Sequence, residues 1–109
     1  MGNFDPDKFE EKYVHYFPEL QRAYKRAFEH MNENFDSQLV HAIDQQVLNE
    51  SEPFYEGEEA ERTFRIAVPE NPYERVQSVL VDEERFEKVL SIYIDRLEHE
   101  LVAVFDIDA

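Results

Sequence analysis

The chain has 109 residues, a length typical of one domain, and we interpret residues 1–109 as a single acidic domain with its own core. Hydrophobic residues make up 42% and charged residues 34%, which indicates a globular protein and excludes a disordered one. The net charge of −15 repels phosphate groups and anionic lipid headgroups, so we expect no nucleic-acid partner and no membrane partner.

Residues that the chain lacks exclude further classes of function. There is no cysteine, which excludes disulfides, thiolate metal sites and cysteine nucleophiles. The two glycines are too few for the phosphate-binding loops of nucleotide-binding proteins. The N-terminal segment has neither a basic region nor a long apolar run, so we expect no signal peptide, no membrane helix and a cytoplasmic location.

The first predicted element is a long helix over residues 6–34. Asp5 and Pro6 form a typical start signal, with Asp as the cap and Pro at the first helical position. Apolar residues then recur with helical spacing, and their phase continues through Pro18. We expect one long helix kinked at Pro18, and the alternative is two helices broken there. The predicted apolar band comprises Phe9, Tyr13, Tyr16, Phe17, Leu20, Ala23, Tyr24, Ala27, Phe28, Met31 and Phe35.

A second helix and a short hairpin are predicted next. Asp36 can cap a helix over residues 37–48, and Gln46 falls within the apolar side of that helix. Residues 49–62 break the helical period, and residues 62–68 then alternate between polar and apolar side chains, as a strand does. Residues 54–56 are the nearest partner for this strand, which predicts a hairpin around residues 57–60.

Two helices are predicted to end the chain. Asn71, Pro72 and Glu74 indicate the start of a short helix, although residues 76–81 could instead form a strand. Asp82 then caps a long C-terminal helix with a broad apolar stripe from Phe86 to Phe105, followed by a frayed tail over residues 106–109. The fold class is therefore mostly helical α+β: a long Pro-kinked N-terminal helix, a second helix, a short β-hairpin, a short helix and a long C-terminal helix.

No catalytic or metal-binding pattern is found among the polar residues. A helical di-iron site needs Glu three residues before each ligating His. The residues three before His15, His30, His41 and His99 are Lys12, Ala27, Gln38 and Arg96, so none is Glu. We therefore expect no metal, no cofactor and no catalytic residue.

The most distinctive segment is residues 41–57, HAIDQQVLNESEPFYEG. His41, Asp44 and Gln45 share one helix face by their spacing, and Phe54 and Tyr55 follow in a segment that contains proline. Polar groups beside aromatic rings are typical of interfaces, so we predict a binding site formed by these five residues. The alternative is that Phe54 and Tyr55 cap the core.

Three segments carry a resemblance to a known family: FDPDKFEEKYVHYFPELQRAYKRAF, HAIDQQVLNESEPFYEG and VLVDEERFEKVL. Together they resemble an uncharacterised family of short acidic proteins from haloarchaea, over nearly the whole chain. The resemblance implies a cytoplasm rich in potassium chloride, and it brings no assigned activity and no catalytic residues. Scarce lysine beside abundant carboxylates agrees with that environment.

We expect a small non-enzymatic interaction or accessory protein of a high-salt cytoplasm, with another protein as its partner. One alternative is a metal-binding or enzymatic protein that uses His41 and Asp44. A weaker alternative is an acidic mimic of nucleic acid that occupies a basic protein.

Overall fold

The N-terminal apolar segment folds as three consecutive helices. In the computed structural model, which describes residues 4–57, 63–76 and 80–105, these are α1 (Pro6–Phe9), α2 (Lys12–His15) and α3 (Phe17–Asn34). The Asp5 carboxylate caps α1, since its Oδ1 accepts a hydrogen bond from the backbone nitrogen of Asp7 at 2.9 Å.

The break between α2 and α3 falls at Tyr16, two residues before Pro18. Tyr16 has φ −128° and ψ 19°, which are not helical angles. Pro18 lies in the first turn of α3, where the backbone nitrogens have no partner within the helix. The missing N–H of proline therefore costs no hydrogen bond. The continuous kinked helix is therefore wrong, and the broken alternative is right only in part, because the segment forms three helices and breaks at Tyr16 and not at Pro18.

The middle of the chain contains a helix and the hairpin. Helix α4 (Ser37–Gln46) begins at its cap Asp36 and is followed by a 3-10 turn, Leu48–Glu50. Gln46 was expected on the apolar side but is exposed, because it ends α4 where the chain turns away. Strands β1 (Glu52–Tyr55) and β2 (Phe64–Ala67) then pair antiparallel, so the predicted hairpin is confirmed.

The last two helices are α5 (Pro72–Arg75) and α6 (Glu83–Val104). Asp82 caps α6 as predicted, with its Oδ1 2.7 Å from the backbone nitrogen of Arg85. Asn71 differs from the prediction: its φ of 53° is left-handed, and its side chain forms no capping bond. The predicted strand alternative over residues 76–81 cannot be compared in full, because residues 77–79 lie outside the described part of the chain. The predicted frayed tail over residues 106–109 also lies outside it.

The core lies between the two long helices. Helix α3 packs along α6, α4 covers α3, and β2 packs against α6. The largest fully buried side chains are Tyr93, Phe64, Phe86, Met31, Leu39, Ile43, Leu48, Leu97, Leu101, Val40, Val47 and Val76. This arrangement confirms a mostly helical α+β fold with a long C-terminal helix.

An aromatic cluster joins the start of the described chain to the hairpin and to the end of α6. Its rings lie 4.9–6.3 Å apart between centroids. The cluster fixes the inner face of β1, because Tyr55 packs on Phe4 and Phe64. Its members are Phe4, Phe9, Tyr16, Tyr55, Phe64 and Phe105.

Candidate binding cleft

An open cleft lies where the α2–α3 junction meets the end of α4 and the start of β1. Its volume is about 290 Å³. That is close to the lower limit for ligand pockets, which is about 300 Å³. The cleft therefore has room for a small ligand or for one side chain of a partner. The residues that line it are Tyr13, Phe17, Leu20, Gln21, Tyr24, Asp44, Leu48, Asn49, Ser51 and Pro53.

Two exposed aromatic side chains form the rim of the cleft. Tyr13 is 54% exposed and Phe17 is 47% exposed, although the helical spacing assigned both to the apolar band of a single helix. The break at Tyr16 explains the exposure of Tyr13, because it interrupts the helical phase that relates α2 to α3. Phe17 keeps the phase of α3 but is its first residue, beside the open cleft. Leu20, Ala23, Ala27 and Met31 stay buried as predicted.

The floor of the cleft carries a short chain of hydroxyl groups. Ser51 Oγ lies 2.6 Å from the carbonyl oxygen of Leu48 and donates its proton there. The hydroxyl of Tyr24 lies 3.0 Å from Ser51 Oγ and therefore donates to it. Burial raises the pKa of Tyr24 to about 12, while the bond to Ser51 acts in the opposite direction. Tyr24 is thus a neutral hydroxyl near physiological pH.

Among the residues that the structure describes, Asp44 supplies the one carboxylate that lines the cleft. Its Oδ1 accepts a long hydrogen bond of 3.5 Å from the hydroxyl of Tyr93, a buried residue of α6. Burial raises the pKa of Asp44 above its ordinary value, whereas the charge of His41 and the bond from Tyr93 lower it. The carboxylate is therefore less well solvated than a surface aspartate and gains from an added partner.

A buried lysine supports the rim from behind. Lys12 is 4% exposed, and its Nζ forms an ion pair of 2.8 Å with Glu52 Oε2 at the start of β1. The same ammonium group lies 5.1–5.3 Å from the ring centroids of Phe9, Tyr13 and Phe54. Lys12 thus fixes α2 against β1 and occupies one side of the Tyr13 ring.

Of the three helical residues predicted to bind, one lines the cleft. Asp44 does so, while His41 and Gln45 are exposed outside it. The ring of His41 stacks on Phe28 with 4.9 Å between centroids. All three residues lie on α4, and Asp44 differs from the other two because it accepts the bond from Tyr93 of α6.

The two aromatic residues predicted to bind lie on opposite sides of β1, because side chains alternate along a strand. Tyr55 is part of the aromatic cluster, as the alternative expected. Phe54 is covered by Lys12 on α2 and by Arg65 on β2, at 5.1 and 4.7 Å from its ring centroid. The sequence did not predict a binding role for four other residues that line the cleft: Tyr13, Phe17, Tyr24 and Ser51. Of these four, Ser51 is the one that lies within residues 41–57, the segment that the sequence singled out.

Two further properties bear on the class of site. Within residues 4–57, 63–76 and 80–105, no three side chains of His, Cys, Asp or Glu are grouped in a way that could hold a metal ion. Over the same residues, no helix combines the length and the apolar character needed to cross a membrane.

Fold and site together define a class: a small protein with a mostly helical α+β fold and an open, aromatic-rimmed cleft. Among the described residues, the cleft is lined by hydroxyls and one carboxylate. Residues 1–108 match the model of a family of unknown function, DUF5783, and the chain belongs to that family. No curated protein and no solved structure matches the chain significantly.

Proposed function

We propose that the protein is a small non-enzymatic interaction protein that binds another protein through the cleft. The observation that carries the proposal is the pair of exposed rings, Tyr13 and Phe17, above a polar floor. Aromatic residues are enriched at the centres of interfaces, where they combine apolar area with directional hydrogen bonds from neighbouring groups. An exposed pair beside a cavity of side-chain size suits an anchor residue of a partner.

The chemistry of the cleft favours binding over catalysis. The hydroxyl proton of Ser51 is directed to the carbonyl of Leu48, so this group is not activated as a nucleophile. Asp44 is hydrogen-bonded to a neutral tyrosine and not to a histidine. Of the described residues that line the cleft, none is a histidine or a lysine. The arrangement offers acceptors, hydroxyls and rings, which hold a ligand in place.

We also propose that the protein works in the cytoplasm of a salt-adapted archaeon. The net charge of −15 and the few lysines support this setting, since dense surface carboxylates are tolerated where salt screens their repulsion. In concentrated salt, long-range attraction is weak, and a binding site then depends on apolar area and short contacts such as those in the cleft.

A capture experiment tests the binding function. Tagged protein is incubated with an extract of the source organism in concentrated potassium chloride, and the recovered proteins are identified by mass spectrometry. We expect Phe17→Ala to lose a defined partner that wild-type protein recovers. Phe17 is an exposed ring, so its removal should change the free energy of unfolding by less than about 1 kcal/mol.

Leu80→Ala is the matched control, because Leu80 is also an exposed large apolar residue but does not line the cleft. It should recover the same partner as the wild type. Equal recovery by wild type, Phe17→Ala and Leu80→Ala would show that the cleft is not the binding surface.

A metal-binding or enzymatic protein that uses His41 and Asp44 is the second candidate. Its support is the closeness of the two side chains, since the charge of His41 lowers the pKa of Asp44. The stacking of His41 on Phe28 directs its ring outside the cleft lining and makes this candidate weaker. Calorimetric titration with zinc would favour it if one equivalent bound and His41→Ala abolished the heat.

A further inference from the structure

We propose that the occupant of the cleft is the guanidinium group of an arginine side chain on the partner protein. This inference rests on the proposed binding function and specifies the chemistry that the cleft recognises. Its basis is that one half-buried carboxylate, one unoccupied aromatic face and several hydrogen-bond acceptors line the same small cavity.

The carboxylate of Asp44 supplies the charge. No lysine or arginine within the described residues forms an ion pair with it. His41 is nearby because it lies on the same helix as Asp44, and Tyr93 donates one long hydrogen bond to Asp44 from α6. A partly desolvated carboxylate is complementary to a cation at short range, where salt screens little, and repels an anion.

Phe17 supplies a flat surface for stacking. The residue is 47% exposed, and its ring contacts neither another aromatic ring nor a cationic group among the described residues. Tyr13 differs, because Lys12 already lies over its ring. A guanidinium group is planar and weakly hydrated, so it stacks on an aromatic face more readily than an ammonium group does.

The remaining polar groups match the donors of a guanidinium. That group carries five N–H donors and no acceptor. Gln21, Asn49, Asp44 and Tyr24 all line the cavity, and each has a side-chain oxygen that can accept hydrogen bonds. The volume of about 290 Å³ suits one long side chain. These features favour arginine over lysine, whose ammonium group has three donors and no plane.

The test is a nuclear magnetic resonance titration of nitrogen-15-labelled protein in concentrated potassium chloride. Three capped tripeptides serve as probes: acetyl-Gly-Arg-Gly-amide, its citrulline analogue and its lysine analogue. Citrulline keeps the shape of arginine and lacks its charge. We expect the arginine peptide to produce saturable chemical-shift changes at residues 44–51 and at Phe17, with a Kd in the millimolar range. The citrulline peptide should bind about tenfold more weakly or not at all, and the lysine peptide should bind more weakly than the arginine peptide.

Two variants distinguish binding in the cleft from non-specific attraction of the peptide to the negative charge of the protein. Asp44→Asn should weaken the arginine peptide about tenfold, because a hydrogen-bonded charge pair is lost. Glu33→Gln removes the same charge from an exposed position of α3 outside the cleft, and it should leave the affinity unchanged. Retained dispersion of the amide signals shows that each variant is folded. Tyr13→Leu should weaken binding less than Phe17→Leu, because Lys12 already lies over the Tyr13 ring.

Equal binding of the arginine and citrulline peptides would overturn the proposal, as would shifts scattered over the acidic surface. Equal losses in Asp44→Asn and Glu33→Gln would overturn it too. If the arginine peptide fails but partner capture still depends on Phe17, the cationic occupant is wrong and the binding function stands. If capture does not depend on Phe17, the binding function itself fails, whatever the peptide does.

Discussion

Asp44 is less stable in its charged form than an ordinary surface aspartate, and this has a measurable consequence. Burial raises its pKa, so the folded protein holds the proton more tightly than the unfolded chain does. Between the ordinary pKa of aspartate and the raised value, stability therefore falls as the pH rises. Below that window, both states are protonated at this position and the effect disappears.

We expect Asp44→Asn to be more stable than the wild type at neutral pH and about equal to it in acid. The amide oxygen of Asn can still accept the bond from Tyr93, and it carries no charge to desolvate. Urea unfolding of both proteins from about pH 3 to about pH 8 measures the difference. If Asp44→Asn were less stable than the wild type at neutral pH, the Asp44 carboxylate would stabilise the fold. That result would contradict the claim that the carboxylate is retained for binding.

At the scale of elements, the break between α2 and α3 determines where the rim rings point. Because Pro18 lies in the first turn of α3, its missing N–H costs no helical bond. Pro18→Ala should therefore change the free energy of unfolding by less than about 1 kcal/mol, mostly through the unfolded chain. If Pro18 instead interrupted a continuous helix, its removal should stabilise the protein by roughly 3 kcal/mol. Urea unfolding at one pH distinguishes the two results.

A second element-scale expectation concerns the lysine that joins α2 to β1. Lys12→Ala removes the ion pair with Glu52 and the contacts with three rings, so it should destabilise the fold by about 1–3 kcal/mol. Lys8→Ala is the matched control, since Lys8 is exposed on α1 and should cost much less. Thermal melts followed by circular dichroism give both values. Equal losses would mean that Lys12 does not fix α2 to the hairpin.

How much the sequence could predict depended on whether a signal was local. The caps Asp36 and Asp82 were found because a capping residue contacts backbone nitrogens two or three positions away. The exposure of Tyr13 was missed because an apolar period carries no information on where a helix breaks. The exposure of Phe17 was missed because the same period does not show which turns of a helix other elements cover. The bond from Tyr93 to Asp44 joins residues far apart in the chain, so no sequence pattern marked it.

At the scale of the whole molecule, the net charge of −15 should make the fold depend on salt. The screening length falls from about 10 Å at 0.1 M salt to about 3 Å at 1 M, which relieves repulsion among exposed carboxylates. We expect the Tm to rise as potassium chloride is increased. Circular dichroism melts measure it, and a Tm that stays flat or falls would contradict a protein adapted to high salt.

The central claim is that the partner contacts the cleft, and site-specific crosslinking tests it most directly. A photoreactive phenylalanine analogue is introduced at Phe17 or, as the control, at Leu80, and each protein is irradiated in an extract of the source organism. We expect a defined adduct from position 17, reduced when Asp44→Asn is combined with it, and none from position 80. The same adducts from both positions, or an adduct only from position 80, would contradict the claim.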